Sequence, residues 1–438
     1  MRGRREVFAW CLYDWANSAF VLTVVSGFFP FFFKSYYSGA AVGVVDTTAR
    51  LGLGNTVAGV AIALLSLVLG AVSDAGIGKK RFLGVFVALG AASTALLFFV
   101  GYGSWFTALT FFIVANIGFS CSNLFYDALL LDVSDKKSID FVSSLGFAFG
   151  YLGGVLLFAF NVWMVHSPAT FGFRADSDAV KHSFLLVAVW WILFSIPLFL
   201  FVKEKRRETP ERKTFFKAAA DAFSTIKKTF FAIVKKPELV LFLCAFWLYY
   251  DGINTFIRMA VNFGTSIGFG YGSLMTALII VQIIAFPSSL LFGHLSSKVG
   301  AGRMISIGVL IYVFITGLGS IFMRTEAHFI ALAAISGLAQ GGIQALSRSY
   351  FGKMIPARES SEYFGFYNVV SRLAVVGPAV IGLIAMAASG MGAPDATASR
   401  IGMSSVSLFF AAGLAMLMFA ERHRKGNEQR AMGNGQAS

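Results

Sequence analysis

Five charged side chains stand inside long apolar stretches of this chain: Asp14, Asp127, Asp251, Arg258 and Arg372. An ionisable group in hydrocarbon is costly unless it meets a partner or a water-filled cavity, so each is a candidate for binding, pairing or proton relay. Two of the acids keep the same company. Tyr13, Asp14 and Asn17 form one trio, and Tyr250, Asp251 and Asn254 form another. Separations of three and four residues place such a trio on one face of a helix. A carboxylate there can accept an ammonium group or a proton, with the hydroxyl and amide fixing orientation. A structural polar cluster that locks the register of a helix would use the same residues. Asn123, Tyr126 and Asp127 add acceptors on a further stretch. Arg372 suits a carboxylate, which a guanidinium binds through two parallel hydrogen bonds; an ion pair with Asp251 or Asp127 would satisfy it equally. Arg258 lies near the end of its stretch and can snorkel to the surface. Asp132 and Asp135 lie close to the end of theirs, where we expect them to be solvated.

Other chemistries find no residues to carry them. No glycine-rich phosphate loop runs into Lys and Ser or Thr, so an ATP-driven motor of that type is not encoded. The five His are scattered, and Cys11, Cys121 and Cys244 lie within apolar runs without metal-ligand spacing. We expect no enzyme activity, no cofactor and no metal.

The elements that must hold these groups follow from composition. Of 438 residues 57% are hydrophobic and 13% charged, with a mean hydropathy of +0.73. That charged share is about half that of a soluble domain, which leaves too little polar surface to face water. A bilayer core takes about 20 apolar residues per helix. Such runs fall near 9–33, 52–73, 82–102, 105–131, 143–165, 184–202, 239–262, 271–296, 304–323, 327–349, 363–389 and 401–420. They lack the alternation of barrel strands, so the expectation is an all-α membrane protein of twelve transmembrane helices. The first run is too long for a cleavable signal.

Basic residues set the orientation. With both termini in the cytosol, 28 of the 36 Lys and Arg lie inside, six outside (Lys34, Arg50, Arg174, Lys181, Arg324, Arg400), and two, Arg258 and Arg372, within spans. The net charge of +14 then anchors the protein on anionic inner-leaflet lipids and calls for no nucleic acid. The longest polar break divides the spans six and six. We read residues 1–203 as one six-helix bundle, 204–238 as a cytoplasmic linker, 239–421 as a second bundle and 422–438 as a polar cytoplasmic tail. Within the linker, Phe216, Ala219, Phe223, Ile226, Phe230 and Ile233 recur at helical spacing, with Lys213, Lys217, Lys227 and Lys228 off that stripe. This is a basic amphipathic helix, suited to the membrane surface or to a partner helix.

The halves echo each other. The pattern Tyr-Asp-x-x-Asn-[Ser/Thr] begins at Tyr13 and again at Tyr250, 237 residues later. Gly70-Ala-Val-Ser-Asp74 leads into Gly78-Lys79-Lys80, as Gly293-His-Leu-Ser-Ser297 leads into Gly300 and Arg303. Both halves start on the same side, so the two bundles are parallel-related repeats, the arrangement of major facilitator halves. The Asp74…Gly78-Lys79-Lys80 stretch resembles the major facilitator signature between spans 2 and 3, although Ala75 replaces its usual basic residue and one residue is added before Gly78. Leu12-Tyr-Asp-Trp-Ala-Asn-Ser-Ala-Phe20 resembles the first-span signature of the autophagy-linked vacuolar amino-acid effluxers and their bacterial relatives. Tyr126-Asp127-Ala128, Gly146 to Gly154, Tyr250-Asp251-Gly252, Gly341 to Arg348 and Phe364 to Tyr367 resemble the same branch.

The resemblance implies a major facilitator fold and a secondary transporter that exports amino acids or related small solutes by alternating access. It further implies a bacterial plasma-membrane location and a cavity lined by spans 1 and 7. Proton coupling through a buried acid is an open possibility of such a design, and a monomer suffices for it. A passive solute facilitator or channel, and a membrane receptor or assembly protein, are the alternatives. The duplicated polar patches favour a carrier over both. Asp74, Lys79 and Lys80 would act as a gate, the carboxylate capping a neighbouring helix or pairing with a base. Gly146, Gly150 and Gly154 form a small-residue face for close helix packing, and Gly377-Pro378 kinks span 11.

Overall fold

Backbone in lipid must satisfy its own hydrogen bonds, and in this chain helices do so. The computed structural model describes residues 3–39, 43–204, 215–266, 269, 271–374 and 376–435, and among them there is no strand. Twelve helices are long and apolar enough to cross a membrane. Spans 1 to 6 are Arg4–Tyr37, Asp46–Ile77, Lys79–Phe99, Trp105–Val133, Ile139–His166 and Asp176–Phe201. Spans 7 to 12 are Pro237–Ile257, Thr276–Val299, Ala301–Phe322, Glu326–Met354, Ala357–Gly390 and Asp395–Arg424. Several helices overrun the apolar windows of the sequence. Span 6 starts at Asp176 with a second acid, Asp178, in its first turn. Acids there complement the helix dipole and let the helix begin in the headgroup region. The last helix continues through Gly435, so the polar C-terminal stretch is helical.

Contacts divide the chain into two compact units. One holds Met1–Phe223 with Pro356–Asn368, the other Ser224–Ile355 with Val369–Ser438. Span 11 therefore contributes its first residues to one unit and the rest to the other.

Within each unit the same pairs of spans pack: 1 on 6, 2 on 4, 3 on 4 and 3 on 6 in the first, and 7 on 12, 8 on 10, 9 on 10 and 9 on 12 in the second. The sequence echo extends to the backbone. Gly78 (φ 103°, ψ 138°) and Gly300 (φ 94°, ψ 141°) immediately precede spans 3 and 9 in a conformation that favours glycine. Each span start also meets a carboxylate from the end of its unit's last span. Glu204 Oε1 accepts the Lys79 N–H at 2.6 Å and Oε2 the Lys80 N–H at 3.4 Å, while Glu421 lies directly against Gly302.

The linker helix is present at Phe215–Val234. Its inner face is Ala218, Ala222, Thr229 and Ile233; Phe223 (80% exposed), Phe230, Phe231 and Val234 point outward. The stripe expected from spacing is thus split, with Ile233 turned inward and the Phe223 and Phe230 rings left outside. Residues 205–214, Lys213 included, lie outside the described residues, as do the side chains of Phe216 and Arg258.

Glycine lets spans 3 and 4 meet backbone to backbone. A Cβ on Gly118 would lie 2.5 Å from the Gly90 Cα and 2.8 Å from the Phe86 carbonyl oxygen. Overpacking of this kind costs about 1–3 kcal/mol. Gly118→Ala should therefore lower the melting temperature of the detergent-solubilised protein. Gly52→Ala, whose Cβ meets nothing within 4 Å, should not. Equal melting temperatures would refute the packing argument.

Candidate functional site

In the first unit the span 1 trio turns toward spans 4 and 5. Asp14 Oδ2 accepts the Tyr126 hydroxyl at 2.7 Å, and Asn17 Nδ2 donates to Asn123 Oδ1 at 2.8 Å. Tyr126 is itself fixed. The Trp10 indole stacks on its ring at 4.3 Å and donates through Nε1 to its carbonyl at 3.0 Å; the buried Tyr13 ring lies 4.8 Å away. Glycine makes room for the carboxylate: a Cβ on Gly146 would lie 2.9 Å from Asp14 Oδ2, and one on Gly150 would meet Ser18 Oγ at 2.6 Å. The small-residue face of span 5 is therefore the surface on which span 1 packs. Tyr13, Asp14 and Asn17 are buried, whereas Asn123 and Asp127 are half-buried.

In the second unit the matching acid does different work. Span 11 consists of two α-helical segments, Ser360–Arg372 and Gly377–Gly390. Asp251, fully buried on span 7, accepts the backbone N–H of Val376 (3.2 Å to Oδ2) and of Gly377 (3.1 Å to Oδ2, 3.3 Å to Oδ1). The Thr255 hydroxyl donates to its Oδ1 at 3.3 Å. One turn earlier on span 7, Trp247 Nε1 donates to the Leu373 carbonyl at 3.0 Å. Tyr250 and Asn254 are half-buried, and so is Arg372, the last residue of the first segment.

The gate candidates take up separate partners. Asp74 Oδ2 accepts the Glu362 N–H at 2.9 Å, so of its two sequence alternatives the helix cap is realised, on the first turn of span 11. Asn368 of that segment donates to Ser66 Oγ at 3.0 Å and to the Ser120 carbonyl at 3.3 Å. Lys79 Nζ pairs with Asp132 at 2.8 Å, and both are buried. Asp132 is thus not solvated as its position suggested: the register of span 4 turns it inward onto the start of span 3. Lys80 Nζ donates to the carbonyls of Phe199 (2.7 Å) and Val202 (2.8 Å) at the end of span 6. Asp135 is exposed as expected, and hydrogen bonds from the Ser138 hydroxyl and N–H hold its carboxyl below the usual carboxylate range.

Comparison with known proteins decides the family. The profile described as "Vacuole effluxer Atg22 like" matches residues 2–138 and 131–430. An MFS-type transporter of Bacillus subtilis, YxiO, is 35% identical over 425 residues, which is 95% of each chain. The chain belongs to the Atg22-like family, a branch of the major facilitator superfamily. Autophagy-related protein 22 of Eremothecium gossypii is 24% identical over 87% of this chain and 85% of its own. Among solved structures, the human organic anion transporter MFSD10 superposes with a TM-score of 0.69 at 14% identity, over 94% of this chain and 99% of that one. FucP in its outward conformation gives 0.70 at 12% identity, over 95% and 99%. The all-α major facilitator fold and the resemblance read from the span 1 and span 10 motifs are borne out. Like its family, this protein is a membrane transporter and not an enzyme.

Three residues of this Atg22-like chain were not visible as site builders in the sequence. Trp10 and Trp247 share the 237-residue offset of Tyr13 and Tyr250, a signal that a longer comparison of the repeats would have caught. Glu204 has its counterpart in Glu421, each at the end of its half's sixth span.

Breaking a buried ion pair by removing one partner costs about 3–5 kcal/mol, while an apolar replacement of both is often neutral. Lys79→Met should accordingly destabilise the protein strongly, and Lys79→Met with Asp132→Leu should recover most of the loss in a thermal-unfolding assay. A double variant as unstable as the single one would mean that the pair is not the unit of interaction.

Proposed function

We propose that this transporter is a secondary carrier that exports amino acids or closely related zwitterionic solutes by alternating access, coupled to protons. Its Atg22-like relatives are described as vacuole effluxers, which supports the direction. The observation that carries the solute class is a guanidinium, Arg372, half-buried within an apolar span of the second unit. A guanidinium answers the carboxylate that every amino acid carries. Tyr250 and Asn254, half-buried in the same unit, supply neutral hydrogen bonds, and Asn123 and Asp127, half-buried in the first unit, are the binding candidates there. The buried groups Tyr13, Asp14, Asn17 and Asp251 brace these contacts from behind, and Asp14 or Asp127 carries the coupling proton. The carrier works as a monomer in a bacterial plasma membrane with both termini in the cytosol.

The gate follows from the inner end of span 11. Asp74 holds the start of that helix in one access state and releases it in the other, while the Lys79–Asp132 pair and Lys80 keep the start of span 3 rigid. The exposed Phe223, Phe230 and Phe231 of the linker helix, beside Lys227 and Lys228, dip into an anionic leaflet.

The test is uptake of radiolabelled amino acids into liposomes containing the purified protein. Asp127→Asn and Arg372→Gln should each lower transport roughly tenfold, as loss of one matched interaction does, with insertion unchanged. Normal rates in both variants would reject these residues as solute contacts. An imposed pH gradient should drive accumulation by the wild type; indifference to it would leave a uniporter. Replacing phosphatidylglycerol by phosphatidylcholine should slow the wild type more than a Lys227→Gln/Lys228→Gln variant, and equal slowing would remove the linker helix as the lipid contact.

A further inference from the structure

Span 11 lacks hydrogen bonds that a continuous helix would have, and span 7 replaces one of them from both sides. In an unbroken helix the Gly377 N–H would donate to the Leu373 carbonyl. Here that N–H goes to the Asp251 carboxylate, and that carbonyl receives the Trp247 indole N–H. The Val376 N–H, which would have reached the Arg372 carbonyl, goes to Asp251 as well. Pro378 follows, and a proline brings no N–H to restore the ladder. Trp247 and Asp251 are four residues apart, hence on one face of span 7. Gly377 is seated so tightly on Thr255 that a Cβ would collide with the hydroxyl.

We propose that Trp247 and Asp251 are positioning residues that clamp the break of span 11, through Leu373 on one side and Val376 and Gly377 on the other, and so aim Arg372. The first segment changes unit within itself: Pro356–Asn368 belongs to the first unit, where Glu362 and Asn368 bond Asp74, Ser66 and Ser120, while Val369–Arg372 belongs with the second segment to the other. The Asp251 bonds leave the Val376 and Gly377 N–H groups satisfied within an apolar span. Arg372 ends the first segment, so the way that end is held sets where its guanidinium points. The Asp251 carboxylate acts on backbone and not on the transported solute. This assignment rests on the reading of Arg372 as a solute contact only for its transport arm.

The experiment uses the full-length protein in lipid nanodiscs, with spin labels at Val370 and Met386, one on each segment, in a Cys244→Ser background. Pulsed electron–electron resonance should give a narrow distance distribution for the wild type. Asp251→Asn, which turns one acceptor into a donor facing backbone N–H groups, should shift and broaden it. Trp247→Phe, which removes the indole N–H and keeps a ring, should broaden it by a smaller amount. A label pair on span 10 should be unaffected. In liposomes, with a radiolabelled mixture of the twenty amino acids as probe, Asp251→Asn should lose roughly tenfold in initial rate. Asp251→Asn combined with Arg372→Gln should be no slower than Arg372→Gln alone. If Asp251→Asn loses transport while the distance distribution stays that of the wild type, the carboxylate acts directly on solute or proton and the clamp is overturned. If the two substitutions multiply, Asp251 does not act through Arg372. Absence of wild-type uptake of every amino acid would sink the solute class, and the resonance measurement would still decide the clamp.

Discussion

Within lipid, no water waits for a backbone N–H that a helix start or break leaves unused, so an acceptor must come from the protein. Much of the architecture of this chain can be read as an answer to that constraint. Three carboxylates serve it: Glu204 at the start of span 3, Asp74 at the start of span 11, and Asp251 at the start of its second segment. In each case the acid comes from a different span than the one it caps. A carboxylate at a helix N-terminus is stabilised both by the hydrogen bond and by the helix dipole, a contribution of about 0.3–2 kcal/mol depending on burial. The same bond that satisfies the backbone therefore also offsets the cost of keeping a charge in an apolar span, and it fixes how two spans sit against each other.

The two halves solve the problem of the span 1 and span 7 acids differently. Asp14 faces an unbroken span 5, which has no N–H to give, and takes the Tyr126 hydroxyl instead. Asp251 faces a broken span 11 and takes its backbone. One sequence pattern thus braces an intact helix in one half and a broken one in the other. The difference lies in what stands opposite the acid.

The twelve spans, the helical linker and the family were legible because hydrophobic run length and the Tyr-Asp-x-x-Asn pattern are local. Partnerships were legible only as types. Asp14 and Asp251 announced themselves as buried acids, yet nothing in the spacing says that one meets a tyrosine and the other a peptide group. Asp132 misled for the opposite reason: four residues of register decide whether an acid near a helix end meets water or a lysine, and span boundaries read from sequence are less certain than that. Gly377-Pro378 did signal a bend, since proline removes a donor. That the bend is clamped by span 7 depends on a contact across more than a hundred residues, which periodicity cannot see.

The indoles at 10 and 247 occupy equivalent places in the repeat. Trp10 donates to a carbonyl inside an intact helix, and Trp247 to one freed by a break. A donor that is redundant in one copy has a vacant acceptor to fill in the other. Such a surplus donor lets one copy lose the helix bond between the Gly377 N–H and the Leu373 carbonyl without stranding that carbonyl. The asymmetry between the halves thus draws on a side chain that both copies carry.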